Sequence, residues 1–236
     1  MVTFLFADLV GSTALTQNLH PEEARLILGD AIARLIGVVE TYGGYVKDLA
    51  GDGLLAFFGA PTAHEDDPER AIRAGLEMTE KIAAYADEVR RGWGIENFAV
   101  RVGVHTGEVV VGQVGGGGRT EFGAVGDAVN LAARIQNAAA PGTVLVTEAS
   151  RRLTGDRFLW GEPLVLELKG VAHPVTAHTA ISASQTGLHT PGLTPLVGRE
   201  GRAGSRSGDR CGPRWRPGGC AVPDRRTGDR KEPAGS

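Results

Sequence analysis

Two hydrophobic spacings alternate along the first sixty residues. Residues 2–8, VTFLFAD, are apolar on both faces of an extended chain, which is typical of a central strand buried on both sides. A helix is expected from Pro21, because proline and two glutamates precede apolar residues at helical spacing. Gly43 and Gly44 end that pattern. Two short strands, YVKDLA and LLAFFG, then flank a tight turn at 51–53.

The strand and helix patterns continue to about residue 181. HEDDPERA starts a second helix, with Pro68 in its first turn. The buried face of this helix is expected to comprise Ala71, Ala74, Met78, Ile82, Tyr85 and Val89. FAVRVGVHTG and EVVVGQVG predict a second strand pair, and GDAVNLAARIQNAA predicts a third helix. Later strands are expected within TVLVTE, RFLWG and PLVLELKG.

This order of elements predicts the fold class. Strand, helix, strand, strand, helix and strand follow one another as in the split βαβ arrangement. We therefore expect residues 1–181 to form an α+β domain, a ferredoxin-like mixed sheet with its helices packed on one face. The segment VGST at 10–13 is expected to turn the chain after the first strand.

The composition changes after this domain. Residues 182–198 are rich in Ser, Thr, Gly and Pro and are interpreted as a linker, whereas residues 199–236 show no periodicity and predict a disordered basic tail. The tail holds ten basic and five acidic residues, and the rest of the chain holds 15 basic and 23 acidic residues. An acidic globular part argues against nucleic acid as the partner.

Residues 225–235 allow a further hypothesis about the tail. Codons that encode RRTGDRKEPAG can also be read from their second base as GEPGIGKSRL, which is a Walker A sequence. The tail is therefore interpreted either as a frameshifted remnant of an ATPase domain or as a disordered basic segment. The nucleotide sequence of the gene distinguishes the two.

Hydropathy and cysteine content bear on the compartment. No run approaches the roughly 20 apolar residues that span a bilayer, and the N-terminus lacks the features of a signal peptide. Both cysteines, Cys211 and Cys220, lie in the tail, so no disulfide framework is indicated for the domain. We expect a cytoplasmic protein without a membrane partner.

Two carboxylates suggest a metal site. Asp8 ends the first strand and Asp52 lies in the turn of the first strand pair, and these elements are neighbours in a split βαβ sheet. Converging carboxylates require a cation or a proton between them, and hard oxygen ligands suit Mg²⁺ or Mn²⁺. Val10, Gly11, Ser12 and Thr13 offer backbone N–H groups and two hydroxyls as a phosphate cradle. Ordinary turn chemistry is the alternative explanation for each aspartate.

Five segments in order resemble one enzyme family. FADLVGST, AGDGLLAFFGAP, AHEDDPERAIRAGL, VRVGVHTGEVVVG and GDAVNLAARI are similar to the class III adenylate/guanylate cyclase catalytic domain, and the resemblance covers residues 1–181. It implies that a nucleoside triphosphate is converted to a 3′,5′-cyclic monophosphate with release of pyrophosphate. It also implies two Mg²⁺ or Mn²⁺ ions per site, held by Asp8, Asp52 and the backbone carbonyl of Leu9.

The resemblance assigns the remaining site residues. Asn130 and Arg134 match the pair that orients the ribose and stabilises charge on the α-phosphate, and they share a helix face. Lys169 matches a lysine that contacts the triphosphate. Because the aspartates and the Asn–Arg pair come from different subunits in this family, a homodimer is implied. His105 receives no catalytic role and is expected to pack or hydrogen-bond within the sheet.

The two base-reading positions depart from the family pattern. Asp48 stands where members that use ATP have a lysine, and Gly123 stands where they have Asp or Thr. Lys47 is one residue from the first position, and it could take that place only through a bulge or a register shift, because adjacent strand residues face opposite ways. We expect ATP as the substrate. GTP is the first alternative, and a catalytically silent nucleotide-binding module is the second.

Overall fold

The structure is a computed structural model of the full chain, and it describes residues 1–114, 121–125 and 127–184. The chain divides into two units, Met1–Thr190 and Pro191–Ser236, and the fold below belongs to the first. Most of the expected linker and all of the expected tail lie outside the described residues. Within the described residues, no helix combines the length and hydrophobicity needed to cross a membrane.

Ten strands and five helices occur among the described residues. In chain order they are β1 (Val2–Val10), α1 (Ser12–Asn18), α2 (Pro21–Thr41), β2 (Tyr45–Ala50), β3 (Gly53–Phe58), α3 (Asp67–Trp93), β4 (Ala99–Gly107), β5 (Val110–Val114), β6 (Glu121–Val125), α4 (Asp127–Ala138), β7 (Val144–Thr147), α5 (Glu148–Thr154), β8 (Phe158–Trp160), β9 (Leu164–Leu166) and β10 (Val175–Ala183). Helix α2 begins at Pro21, as expected, and all six residues of the expected α3 face are buried.

The main sheet confirms the predicted fold class. Its strand order is β2-β3-β1-β4-β7-β10-β8, and β9 also pairs with β10. The first four strands follow the antiparallel order of the split βαβ unit, in which β1 lies between β3 and β4. Strands β4 and β7 pair in parallel, so the sheet is mixed.

Helices cover both faces of this sheet, so the expectation of a single covered face is wrong. Leu5, Ala7 and Leu9 pack with α2 and α3, whereas Phe4 packs with Phe57 and with α4 on the opposite face. The reason lies in β1 itself, because a strand that is apolar on both faces needs cover on both. Gly103 allows the close approach of α4, since a Cβ there would lie 2.3 Å from the backbone nitrogen of Gln136.

Four further details differ from the expectations. Strand β5 pairs with β6 in a separate ribbon and not with β4, because β1 and β7 already occupy both edges of β4. The segment after β1 starts helix α1 at Ser12 and does not merely turn the chain. Helix α5 and strand β10 had no prediction. Strand β10 extends to Ala183, two residues past the expected end of the domain.

Candidate functional site

Asp8 and Asp52 lie side by side at one end of the sheet. Asp8 is the register partner of Gly53, the residue after Asp52. The backbone N–H of Leu9 donates a hydrogen bond to the carbonyl oxygen of Asp52 at 3.1 Å, which fixes the turn against β1. The two aspartates are 44 positions apart in sequence, and antiparallel pairing of β1 with β3 brings them together.

The turn that follows Asp8 closes over the second aspartate. Gly11 has a φ of 92°, a left-handed conformation that favours glycine, and α1 starts at the next residue. The hydroxyl of Ser12 donates a hydrogen bond to the carboxylate of Asp52. The segment from Val10 to Thr13, expected to cradle phosphate, therefore lies beside both carboxylates.

Arg101 is a site residue that sequence reasoning missed. It is the register partner of Asp8 on β4, and its Nη2 lies 2.6 Å from the Oδ2 of that aspartate. The Nε of Arg101 is buried and has no hydrogen-bond partner among the described residues. The available signal was one charged residue within the otherwise apolar and small sequence AVRVGVHTG.

The donor set of this end of the sheet fits a hard divalent cation. It offers two carboxylates and the backbone carbonyl of Leu9, all of them oxygen ligands. Asp8 already has a cation as its neighbour, the guanidinium of Arg101. Among the described residues no cluster of three or more His, Cys, Asp and Glu side chains could hold a metal, so an ion here would need further oxygens from substrate or water.

Asn130 and Arg134 lie on the outer face of α4. Ala128, Ala132 and Ile135 form the buried face of this helix, and Asn130 is exposed on the other side. Arg134 extends towards the turn after β9, where its Nη2 lies 3.2 Å from the position that a Cβ on Gly170 would occupy. A cleft of about 470 Å³ lies here, lined by residues that include Asn130, Arg134, Gly170 and His105. Lys169 is exposed in the same turn.

The single chain does not bring these two groups of residues together. The aspartates lie at the end of β1, whereas α4 runs from the β1 side of the sheet towards β7 and β10, where Ile135 packs against Ala177. Strands β4 and β7 separate β1 from β10, so the axes of those two strands lie about 14 Å apart.

A bulge-type register shift lies at the expected base-reading position on β2. Val46 pairs with Ala56 and Asp48 pairs with Leu55, which leaves Lys47 as the extra residue. The strict alternation that would turn Lys47 to the opposite face from position 48 is therefore broken here. Asp48 is exposed, and one of its oxygens accepts a hydrogen bond from the Leu49 N–H at 2.9 Å.

Gly123 and His105 occupy two further positions of interest. Gly123 lies in β6 opposite Gly112, in the two-stranded sheet that is separate from the sheet carrying Asp48. His105 is buried on β4, and its Nδ1 lies 2.9 Å from the hydroxyl of Thr147. Burial lowers the pKa of His105 to about 4, so the imidazole is neutral at pH 7. The expectation that His105 hydrogen-bonds within the sheet is confirmed.

Comparison with known proteins identifies the family. The model of the "Adenylate and Guanylate cyclase catalytic domain" matches residues 1–178, which is most of the chain and all of the sheet up to β10. The chain belongs to this family. It therefore carries a nucleotide cyclase catalytic domain.

Curated relatives cover part of the chain. Adenylate cyclase 1 of Rhizobium meliloti (strain 1021) is 33% identical over 135 residues, which are 57% of this chain and 20% of that protein. The adenylate cyclase of Anabaena cylindrica is 30% identical over 138 residues, 57% of this chain and 26% of that protein. The chain thus spans about a quarter or less of the length of these relatives.

Solved cyclase structures share the fold. The guanylyl cyclase Cya2 superposes with a TM-score of 0.73 at 33% identity, covering 78% of this chain and 93% of that one. The adenylyl cyclase CyaB from P. aeruginosa superposes with a TM-score of 0.74 at 25% identity, covering 78% and 95%. Similar structures therefore include proteins named for either nucleotide.

Proposed function

We propose that the protein is a cytoplasmic, metal-dependent purine nucleotide cyclase that converts ATP to 3′,5′-cyclic AMP and pyrophosphate in intracellular signalling. The observation that carries this proposal is the convergence of Asp8 and Asp52 beside the segment Val10–Thr13, which joins β1 to α1. Two adjacent carboxylates next to the backbone N–H groups and hydroxyls of this segment suit a metal-bound triphosphate. Family membership over residues 1–178 supports the same chemistry.

Asp8, Asp52 and the carbonyl of Leu9 would hold Mg²⁺ or Mn²⁺, two ions per site. Such ions would lower the pKa of the ribose 3′-hydroxyl and offset charge on the departing pyrophosphate. Ser12 orients the carboxylate of Asp52 through its hydrogen bond. The guanidinium of Arg101 adds positive charge at the same place, which suits a polyphosphate ligand.

The second half of the site would come from a partner copy. Asn130 and Arg134 face outwards from α4, and the fold of one chain keeps them away from the aspartates. A two-fold dimer that apposes these surfaces would form two equivalent sites. In each site Asn130 would orient the ribose, and Arg134 with Lys169 would stabilise negative charge on the phosphates.

The choice of base is the finer part of the proposal. The curated relatives named adenylate cyclases favour ATP. One observation favours GTP as the second candidate, because the exposed carboxylate of Asp48 can accept hydrogen bonds from guanine N1–H and its amino group. The register shift leaves Lys47 as the extra residue beside Asp48 on β2, so we test both residues as base-reading candidates.

Turnover tests the proposal directly. Purified protein is incubated with ATP or GTP and Mn²⁺ or Mg²⁺, and cyclic product is measured by chromatography. Asp52→Ala should abolish product while the circular dichroism spectrum is retained, and Asp156→Ala, an exposed aspartate remote from the site, should keep full activity. Absence of product from both nucleotides in a dimeric sample would favour a silent nucleotide-binding module.

Mixing inactive chains tests the shared site. Asp52→Ala and Arg134→Ala chains are each expected to be inactive, and a refolded equimolar mixture should recover about a quarter of wild-type activity. This value follows because half of the dimers are mixed and each mixed dimer has one intact site. No recovery in a sample with demonstrated mixed dimers would contradict a site built from two subunits.

Substitutions on β2 test the base. Lys47→Ala and Asp48→Ala are compared by their kcat/KM for ATP and for GTP, with the exposed Lys81→Ala as a matched lysine control. If Lys47 reads adenine, Lys47→Ala lowers the ratio of ATP to GTP use by about tenfold or more. An unchanged ratio in both β2 variants would exclude this strand from base selection.

A further inference from the structure

The ion pair between Arg101 and Asp8 occupies a carboxylate that the proposed function assigns to metal. We propose that Arg101 is a tethered cation that competes with divalent ions for Asp8, and so weakens metal binding by the nucleotide-free protein. The inference rests on the proposed function, because it requires Asp8 to be a metal ligand. It concerns the protein before a nucleotide binds, whereas the proposed function concerns the protein with nucleotide bound.

The contact has the geometry of a strong pair. Arg101 Nη2 lies 2.6 Å from Asp8 Oδ2, slightly shorter than the usual charge-assisted N–H···O hydrogen bond of about 2.7–2.9 Å. The side chains are 27% and 28% exposed, so solvent screens the pair less than it would at an open surface. Both residues sit on paired strands of the main sheet, which hold them opposite each other without a flexible loop.

The two aspartates therefore differ in their partners. Asp8 accepts a hydrogen bond from a cation, whereas Asp52 accepts one from the neutral hydroxyl of Ser12. A metal ion approaching Asp52 meets a ligand polarised by a hydroxyl, and one approaching Asp8 must displace a guanidinium. Arg101 is therefore expected to lower the affinity of Asp8 for a metal ion more than that of Asp52.

Arg101 is also incompletely satisfied in this arrangement. Its Nε is buried without a hydrogen-bond partner among the described residues. A guanidinium has five N–H donors, and a buried donor without a partner is unfavourable. A state in which the guanidinium leaves Asp8 for a ligand with several acceptor oxygens would satisfy more of these donors. The metal-free pair is thus a contact that ligand binding can replace.

Removal of the arginine should tighten metal binding. Arg101→Met keeps much of the length and the apolar stem, but it frees Asp8 and removes a repelling charge. A partly exposed ion pair of this kind changes an equilibrium constant by a factor of up to about ten, so we expect Mn²⁺ to bind up to about tenfold more tightly. Arg101→Lys retains the charge and should stay within about threefold of the wild type.

The test is a titration with Mn²⁺ in the absence of nucleotide, followed by electron paramagnetic resonance of the free ion at fixed ionic strength. Arg34→Met, which removes a surface arginine paired with Glu88, controls for net charge. Asp8→Asn should weaken binding, and Arg101→Met should tighten binding much less in the Asp8→Asn background, where it removes only a repelling charge and frees no carboxylate. This readout does not depend on turnover.

The outcomes separate the inference from the proposed function. Equal affinity of wild type and Arg101→Met, or equal tightening by Arg34→Met, would overturn the inference and leave the cyclase proposal intact. Wild-type Mn²⁺ binding that is indifferent to both Asp8→Asn and Asp52→Asn would remove the metal site itself, and the inference with it. If Arg101→Met does not fold, the inference is tested by the side-chain NMR signals of Arg101 in the wild type. They are expected to shift as Mg²⁺ saturates the site, and signals that stay constant would overturn the inference.

Discussion

The buried imidazole of His105 predicts a loss of stability in mild acid. His105 is 9% exposed, and burial lowers its pKa to about 4, whereas an unfolded histidine has a pKa of about 6.5. Between these values the unfolded chain binds a proton that the folded protein excludes. Stability is therefore fully present above pH 6.5 and is lost as the pH falls towards 4.

The magnitude follows from the two pKa values. Linkage gives a loss of about 1 kcal/mol at pH 6 and about 2 kcal/mol at pH 5, relative to pH 7.5. The full difference would be about 3 kcal/mol below pH 4, where acidic side chains also begin to titrate. The window from pH 5 to 7.5 thus isolates the histidine from the carboxylates.

The measurement is urea unfolding of the wild type and of His105→Asn at half-unit steps from pH 5 to 7.5. The variant should be less stable at pH 7.5, because it loses packing and the contact with Thr147, but its stability should fall less steeply with acid. His173→Asn, at an exposed position, controls for the loss of an ordinary histidine. A His105→Asn profile parallel to that of the wild type would refute the reasoning.

Two substitutions in the sheet and helix packing give further predictions. Gly103→Ala would place a Cβ 2.3 Å from the backbone of α4, so it should lower the free energy of unfolding in urea by about 1–3 kcal/mol or more. Because the added methyl group displaces α4, cyclase activity should fall as well. Gly29→Ala, where a Cβ meets nothing within 4 Å on an exposed helix face, should instead leave stability unchanged or raise it. Equal losses of stability in Gly103→Ala and Gly29→Ala would contradict this reasoning. Thr147→Val should destabilise the protein by about 1–3 kcal/mol in thermal unfolding, because it leaves the buried imidazole without its hydroxyl partner and removes the N-cap of α5. Thr176→Val on β10, which is only half-buried, should cost less, and the reverse order would argue against the contact.

Local sequence patterns determined the elements that carry the fold. Pro21 starts α2, and the six apolar positions of α3 are buried as their helical spacing indicated. The apolar faces of β1 identified the central strand. These signals are local, because capping, glycine stops and hydrophobic period depend on residues within a few turns of each other.

Several placements had no such local signal. Helix α4 covers the second face of the sheet because Phe4 and Phe57 meet there, and α4 follows β1 by more than one hundred residues. The register shift at Lys47 is set by pairing with β3 and leaves no mark in the hydrophobic pattern. The motif on β2 indicated the expected base-reading position, but pairing with β3 decided that Lys47 is the extra residue there.

The candidate site shows the same division. The residue types of Asp8, Asp52, Asn130 and Arg134 could be singled out in the sequence, and their chemistry remains the prediction that the assays test. Their neighbours were decided by the tertiary structure, because Arg101 reaches Asp8 across 93 positions through the pairing of β4 with β1. Sequence fixes which charges the chain carries, whereas strand register decides which of them meet. A charge pair depends on separation in space, and separation along the chain does not reveal it.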